Sequence, residues 1–269
     1  MFPSFDLFGR TINMYPVMAV TGLLISGAYA CRIARKRGYD DNVMIMFLLI
    51  AGVGLLAGAH ILYGITNIRY IITLLRTGFS GIDSVGKLFD VLAFLFGGSV
   101  FYGGLIGGTI AAALYAKRKN LDFREYSDMA SPAVPLFHSF GRIGCFLGGC
   151  CYGVESRFGF TYTRSLIESA NHVSRFPIQL VESLYNVALF LILSKLLARG
   201  TMKFRLFPLY ITLYTAGRFV LEFWRGDEIR GHIFGLSTSQ FISILLFATA
   251  IVVLAAQNRS SGNRNRYLS

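Results

Sequence analysis

The stretch VMIMFLLIAGVGLLAGAHILYG, residues 43–64, contains no Asp, Glu, Lys or Arg. It is long enough to cross the hydrocarbon core of a bilayer, which takes a helix of about 20 apolar residues. Six further runs of this kind flank it, at roughly 14–31, 90–116, 129–150, 178–198, 206–224 and 238–256, with short polar or basic links between them. Pro132, Pro135 and several glycines interrupt the run at 129–150. Over the 269 residues 54% are hydrophobic and only 15% charged, outside the soluble range. The expected fold class is an all-α integral membrane protein with seven transmembrane helices.

No basic segment precedes the first run and CRIARKRG follows it, so it reads as a retained helix rather than a cleaved signal. The basic clusters are Arg32, Arg35, Lys36 and Arg37; Lys117, Arg118, Lys119 and Arg124; Lys195, Arg199, Lys203 and Arg205; and Arg259, Arg264 and Arg266. All fall on one side of the seven-run pattern. Basic residues beside helix ends stay in the cytoplasm, so the N-terminus is expected outside and the C-terminus inside. The net charge of +12 sits in these short links, which favours anionic lipid head groups over nucleic acid as its partner. Residues 1–257 are expected to form a single membrane domain and 258–269 a polar cytoplasmic tail, in a monomer of the inner (plasma) membrane. Residues 65–89 and 153–177 read as outer loops or arms over a site, with Arg164 and Arg175 as solvated surface charges in preference to a role in recruiting a substrate. Four cysteines, two of them adjacent, do not make a disulfide framework.

An ionisable side chain deep in a bilayer costs at least about 2.5–3.5 kcal/mol, so it faces a cavity or a partner. Arg142 lies in GRIGCFLGGCCYG, 141–153, and Arg218 in PLYITLYTAGRFVLEFWR, 208–225. Tyr214, Arg218 and Glu222 recur every four residues and share one helical face, with Arg225 three residues further on. Glu222 would neutralise Arg218 or Arg225. No carboxylate lies near Arg142 in sequence, so the spacing predicts a bound anion, and phosphate suits a guanidinium because it accepts two parallel hydrogen bonds. Glycines in FYGGLIGG, 101–108, serve either close helix packing or approach of backbone to a ligand. Gln179 and Glu182 are a third polar element, in SRFPIQLVESLYN, 174–186.

His138, four residues before Arg142 and on its helical face, and His60 are the candidates for proton transfer. Tyr15, Tyr102 and Tyr214 are hydrogen-bond donors and poor bases near neutral pH. For Cys145, Cys150 and Cys151 several readings stay open: packing as small apolar residues, a transient nucleophile, a redox pair, or metal ligands with His138. The spacing H-x6-C-x4-C-C is not a recognised zinc pattern, so no metal site and no cofactor is assigned.

Taken in order, Tyr15, FYGGLIGG, GRIG followed by FLGG, FPIQLVES and YTAGRFVLEFWR make the chain resemble the prolipoprotein diacylglyceryl transferase family over nearly its whole length. The resemblance implies seven helices in the same orientation. It also implies transfer of a diacylglyceryl group from phosphatidylglycerol to the lipobox cysteine of a prolipoprotein, with release of glycerol 1-phosphate. It assigns phosphate binding to Arg142 and Arg218, and matches Tyr214, Glu222 and Arg225 to the family's later element. Gly153 matches the last signature glycine, Gly103 and Gly104 the HGG glycines, Gln179 and Glu182 the PSQLYE element, Tyr15 a first-helix tyrosine, and Gln240 a glutamine near the last helix. The chain departs from the usual GRxGNFxNxExxG at Cys145, Gly148 and Cys150, has Tyr102 for the HGG histidine, and has His60 for a second-helix arginine. Those departures leave two functional readings: a transferase whose acceptor is a prolipoprotein or related molecule, and a non-catalytic lipid-binding or lipid-moving paralogue.

Overall fold

The computed structural model describes residues 3–76, 84, 86–87, 89–91, 97–98, 100–165, 167–226, 232–233 and 235–266. In chain order these form β1 (Ser4–Leu7), β2 (Arg10–Asn13), α1 (Met14–Lys36), α2 (Asp41–Thr66), α3 (Ile68–Arg76), α4 (Phe101–Arg118), α5 (Phe123–Ala130) and α6 (Ala133–Gly148). There follow β3 (Glu155–Thr161), β4 (Ser174–Arg175), α7 (Ile178–Arg199), α8 (Leu206–Leu221), β5 (His232–Ile233), β6 (Leu236–Ser237) and α9 (Thr238–Arg266). Among the described residues the strands pair as three antiparallel couples, β1 with β2, β3 with β4 and β5 with β6. The described architecture is therefore helical. Of its helices α1, α2, α7 and the Thr238–Gln257 part of α9 are long and apolar enough to cross a membrane. The other three apolar runs correspond to α4, α6 and α8, of 18, 16 and 16 residues. In the run expected at 90–116, residues 92–96 and 99 lie outside the described residues, and α4 begins at Phe101. The last helix continues to Arg266, through most of the segment expected to be a polar tail.

The described residues divide into two compact units rather than one continuous core, Tyr39–Tyr126 and the pair Met1–Gly38 with Ser127–Ser269. In the first, Asp40 caps α2 by accepting from the Asn42 amide at 2.8 Å. Helices α2 and α4 meet through glycines four apart on each: a Cβ on Gly58 or on Gly103 would lie 2.3 Å from the other's carbonyl oxygen, and one on Gly107 the same distance from Gly54 O. Small residues every fourth position let two helix backbones close to this range.

In the second unit α6 packs between α1 and α7. Gly22 of α1 admits the Phe140 side chain, whose Cβ would be 2.7 Å from an added methyl, and Gly144 of α6 admits Tyr15 and Met18. The Tyr29 hydroxyl donates to Ser194 Oγ (2.9 Å), joining α1 to α7, and the Ser183 hydroxyl donates to the Ser139 carbonyl (3.0 Å), joining α7 to α6. Between α7 and α8 the Tyr185 hydroxyl donates to the Leu213 carbonyl at 2.5 Å, over Gly217, where any Cβ would strike the Tyr185 ring. Asp128 accepts from the Leu206 and Phe207 amides at 2.9 and 3.4 Å, satisfying donors at the start of α8. Burial pushes the Asp128 carboxyl up to about 6, against the pull of those amides. The polar faces of α6, α7 and α8 are thereby turned toward one another.

Candidate functional site

A cluster of ions is buried where those three helices meet. Glu182 of α7 is its centre: one carboxylate oxygen pairs with Arg142 Nε of α6 at 2.8 Å, and the other with Arg218 of α8 at 2.9 Å and Arg225 at 3.6 Å. Arg218 also reaches Glu222 at 2.5 Å, the i, i+4 pair foreseen from the sequence, and Glu222 in turn accepts from the Ser237 hydroxyl at 2.9 Å. No carboxylate lies near Arg142 in sequence, but the fold supplies one. Its partner comes from 40 positions along the chain, on a different helix. Arg142, Arg218 and Arg225 thus converge on Glu182, three guanidiniums gathered at one carboxylate, with Glu222 beside Arg218.

His138, one turn before Arg142, accepts from Arg142 Nε at its Nε2 (3.2 Å). An imidazole nitrogen that accepts carries no proton, so the ring holds its proton on Nδ1. Its face lies against Tyr214, with ring centroids 5.3 Å apart, and Tyr214 continues to Tyr210 at 5.7 Å. Arg142, Arg218, Glu182, His138 and Tyr214 line a small cavity together with Tyr185, Asn186 and Leu221. Asn186 was not among the expected residues, and its buried Oδ1 has no hydrogen-bond partner among the described residues. The signal for it was a polar stripe at Gln179, Glu182 and Asn186 inside an apolar run.

Past the end of α6 the backbone turns sharply. Gly149 and Cys151 both take left-handed conformations, with φ +73° and +56°, and the Cys150 amide donates back to the Cys145 carbonyl at 3.1 Å. The turn brings the thiols of Cys145, Cys150 and Cys151 together, their Sγ atoms all within 4.8 Å of one another. Gln179 fixes this turn, its Nε2 donating to the Cys150 carbonyl (2.8 Å) and to the Tyr162 hydroxyl (3.0 Å). Burial pushes the Tyr162 phenol up to about 12, so it stays protonated. Tyr15 lies within electrostatic range of Arg142 and all three thiols. The segment then threads past two strand-like neighbours: Val154 N donates to Trp224 O (3.0 Å), Gly226 N to Tyr152 O (3.0 Å) and Phe176 N to Val154 O (2.8 Å). A side chain at Gly153 would lie 2.3 Å from the Phe176 carbonyl oxygen and 3.0 Å from that of Trp224, so this glycine lets the three backbones close up where Gly153 bridges to Arg225.

His60, Tyr102, Gly103 and Gly104 belong to the Tyr39–Tyr126 unit. There Gly103 and Gly104 pack against α2, Tyr102 is buried, and the His60 Nδ1–H donates to the Gly98 carbonyl at 2.9 Å. Arg175, expected as a solvated charge, is buried, donating to Ser169 O at 2.7 Å and lying 4.2 Å over the Tyr152 ring. Gln240 accepts from the Ser237 amide at 3.1 Å and caps the start of α9.

The family model for prolipoprotein diacylglyceryl transferase matches residues 4–256. The chain belongs to that family. Among its relatives, the phosphatidylglycerol–prolipoprotein diacylglyceryl transferase of Clostridium tetani is 35% identical over 251 residues, 93% of this chain and 94% of the relative. A second such transferase of Clostridium perfringens, numbered 2, is 31% identical over 92% of both chains, and that of Streptococcus equi subsp. zooepidemicus 29% identical over 96% of both.

Proposed function

We propose that the chain is a diacylglyceryl transferase that takes its group from phosphatidylglycerol, passes it to the lipobox cysteine thiol of a prolipoprotein and releases glycerol 1-phosphate. Family membership and the names of relatives aligned over more than nine-tenths of the chain support this reading. The observation that carries it is the pair of terminal amino groups of Arg142, set in a buried cluster of three guanidiniums. Among the described residues, Arg142 is held through Nε alone, which leaves both terminal amino groups to a phosphate. Two parallel N–H donors match two phosphate oxygens.

Arg218, clamped between Glu182 and Glu222, supplies fixed charge and not a mobile ligand. As the glyceryl C–O bond breaks, negative charge grows on the departing phosphate, and cations already locked in place stabilise it without reorganising. His138 spends its Nε2 lone pair on Arg142 and so orients that arginine, and it takes no proton there. Tyr214 packs on the His138 ring and holds this geometry. The Asn186 oxygen offers an acceptor to a hydroxyl of the glycerol head group.

Seven spans with the N-terminus outside, in a multi-pass protein of the plasma membrane, complete the proposal, with residues 1–257 acting as the transferase. The basic links and the family pattern support that arrangement. The test uses purified protein in nanodiscs with head-group-labelled phosphatidylglycerol and a lipobox peptide. Equal amounts of glycerol 1-phosphate and thioether-linked diacylglyceryl peptide are expected. Head-group release without peptide modification, or neither product, would overturn the reading.

A further inference from the structure

Three thiols converge at the end of α6 in a cluster that the phosphate chemistry above does not use. We propose that Cys145, Cys150 and Cys151 hold one divalent ion of the zinc group as a three-thiolate site whose fourth position takes an incoming thiol. Zinc–sulfur bonds of about 2.3 Å in a tetrahedral site set sulfurs about 3.8 Å apart, and the three Sγ atoms already lie within 4.8 Å of one another, so a small inward shift closes the site. The framework around them is preformed. Cys151 is held at φ +56°, a conformation unfavourable for a residue with a Cβ, and such strain persists only where surroundings impose it. Gln179, fully buried, fastens the Cys150 carbonyl, and Ser165 Oγ fastens that of Gly149 at 3.1 Å.

Charge favours a divalent ion. Three thiols binding one such ion release three protons and leave a complex of net charge −1. Arg142 and Arg225 both act electrostatically on Cys151 and offset that charge. Soft sulfur donors select zinc-group ions over Mg2+ or Ca2+. Cys145 is buried whereas Cys150 and Cys151 are only partly so, which leaves part of the cluster open to an incoming ligand.

Three protein ligands and one open position are the arrangement of a reactive zinc site, and a thiol entering that position is deprotonated outright. This part rests on the transferase reading, in which the acceptor is a thiol. It supplies what the arginine cluster lacks, because His138 has its Nε2 engaged and a tyrosine is a poor base. The pairwise spacing rules pointed away from a metal because Cys145 reaches the others only through the turn at 149–151.

The test is made on the full chain in nanodiscs of neutral lipid, with no phosphatidylglycerol, under reducing conditions and with Cd2+ as the probe. One Cd2+ per chain is expected, with the ultraviolet charge-transfer band of three thiolates. Cys145→Ser, Cys150→Ser and Cys151→Ser should each lower affinity at least about 100-fold, since even outer-shell changes at metal sites cost 10–100-fold, and Cys31→Ser should leave it unchanged. Adding a lipobox peptide should raise the band to that of four thiolates, and a Cys→Ser peptide should not. Absence of stoichiometric binding, or binding indifferent to the three cysteines, overturns the site. Stoichiometric binding with a spectrum blind to the peptide overturns the open fourth position. Because no lipid donor is present, either failure is separate from failure of the transferase reading.

Discussion

Replacing Glu182 by Gln removes a carboxylate that reaches all three guanidiniums while keeping its shape. At an effective dielectric constant near 20, two unit charges 4 Å apart attract by about 4 kcal/mol. Glu182 holds Arg142 and Arg218 with contacts of 2.8 and 2.9 Å, and its own desolvation offsets much of that attraction. Removing one partner from a buried ion pair costs about 3–5 kcal/mol, because the other charge is left uncompensated. Here the substitution takes one negative charge out of the cluster, so an anion becomes a better substitute for the missing carboxylate. We predict that Glu182→Gln loses about 3–5 kcal/mol of stability in nanodiscs of phosphatidylcholine. In phosphatidylglycerol it should recover about 1.5–3 kcal/mol, the range of a hydrogen bond to a charged group. The assay is denaturant-induced unfolding of wild type and variant in both lipids, followed by tryptophan fluorescence of Trp224. A variant within about 0.5 kcal/mol of wild type, as for an ordinary surface substitution, would refute the buried cluster. Equal stability of the variant in the two lipids would refute the anion site.

Glu222→Gln should cost less than Glu182→Gln in the same measurement, because Arg218 keeps Glu182 while losing only its second carboxylate. Gly103→Ala forces a methyl to within 2.3 Å of the Gly58 carbonyl, so it should lower stability by about 1–3 kcal/mol, as overpacking does, in a thermal-shift assay. Arg175→Ala removes a bond to Ser169 O and a cation over Tyr152, and limited proteolysis should show the 155–175 hairpin cut faster. The Asp128 carboxyl, raised from 3.8 to about 6, is penalised when ionised in the fold. Its contribution is therefore complete below about 4 and is lost as pH rises through about 6, so the stability advantage of wild type over Asp128→Asn should shrink across that window.

The helical faces were legible because they depend on local spacing. Tyr214, Arg218 and Glu222 are four apart, as are His138 and Arg142, and the Arg218–Glu222 and His138–Arg142 contacts follow from the pitch of a helix. Glu182 was visible as a polar residue in an apolar run, but its pairing with Arg142 depends on how α6 and α7 pack, which spacing does not encode. The glycines of FYGGLIGG stood out, whereas their counterparts Gly54 and Gly58 were hidden in an apolar run where small residues look unremarkable. Arg175 was misjudged because an isolated charge in a loop is normally solvated, and only the fold puts Tyr152 beneath it. The convergence of three thiols hinges on two left-handed residues, one of them a cysteine, a conformation that the residue type itself argues against.

In the proposed reaction the terminal amino groups of Arg142 receive a phosphate while Arg218 fixes the charge beside it. The most direct measurement is kcat/KM for transfer to a lipobox peptide by Arg142→Lys and Arg218→Lys, each checked for retained folding in the same nanodiscs. Lysine keeps the charge but loses the paired N–H donors, at a cost of about 1.5–3 kcal/mol for a charged hydrogen bond. At about 1.36 kcal/mol per decade, that predicts activity about 10- to 150-fold lower for Arg142→Lys. Arg218→Lys breaks one of two carboxylate contacts and should lose both activity and stability. Transfer by folded Arg142→Lys at the wild-type rate would contradict the account.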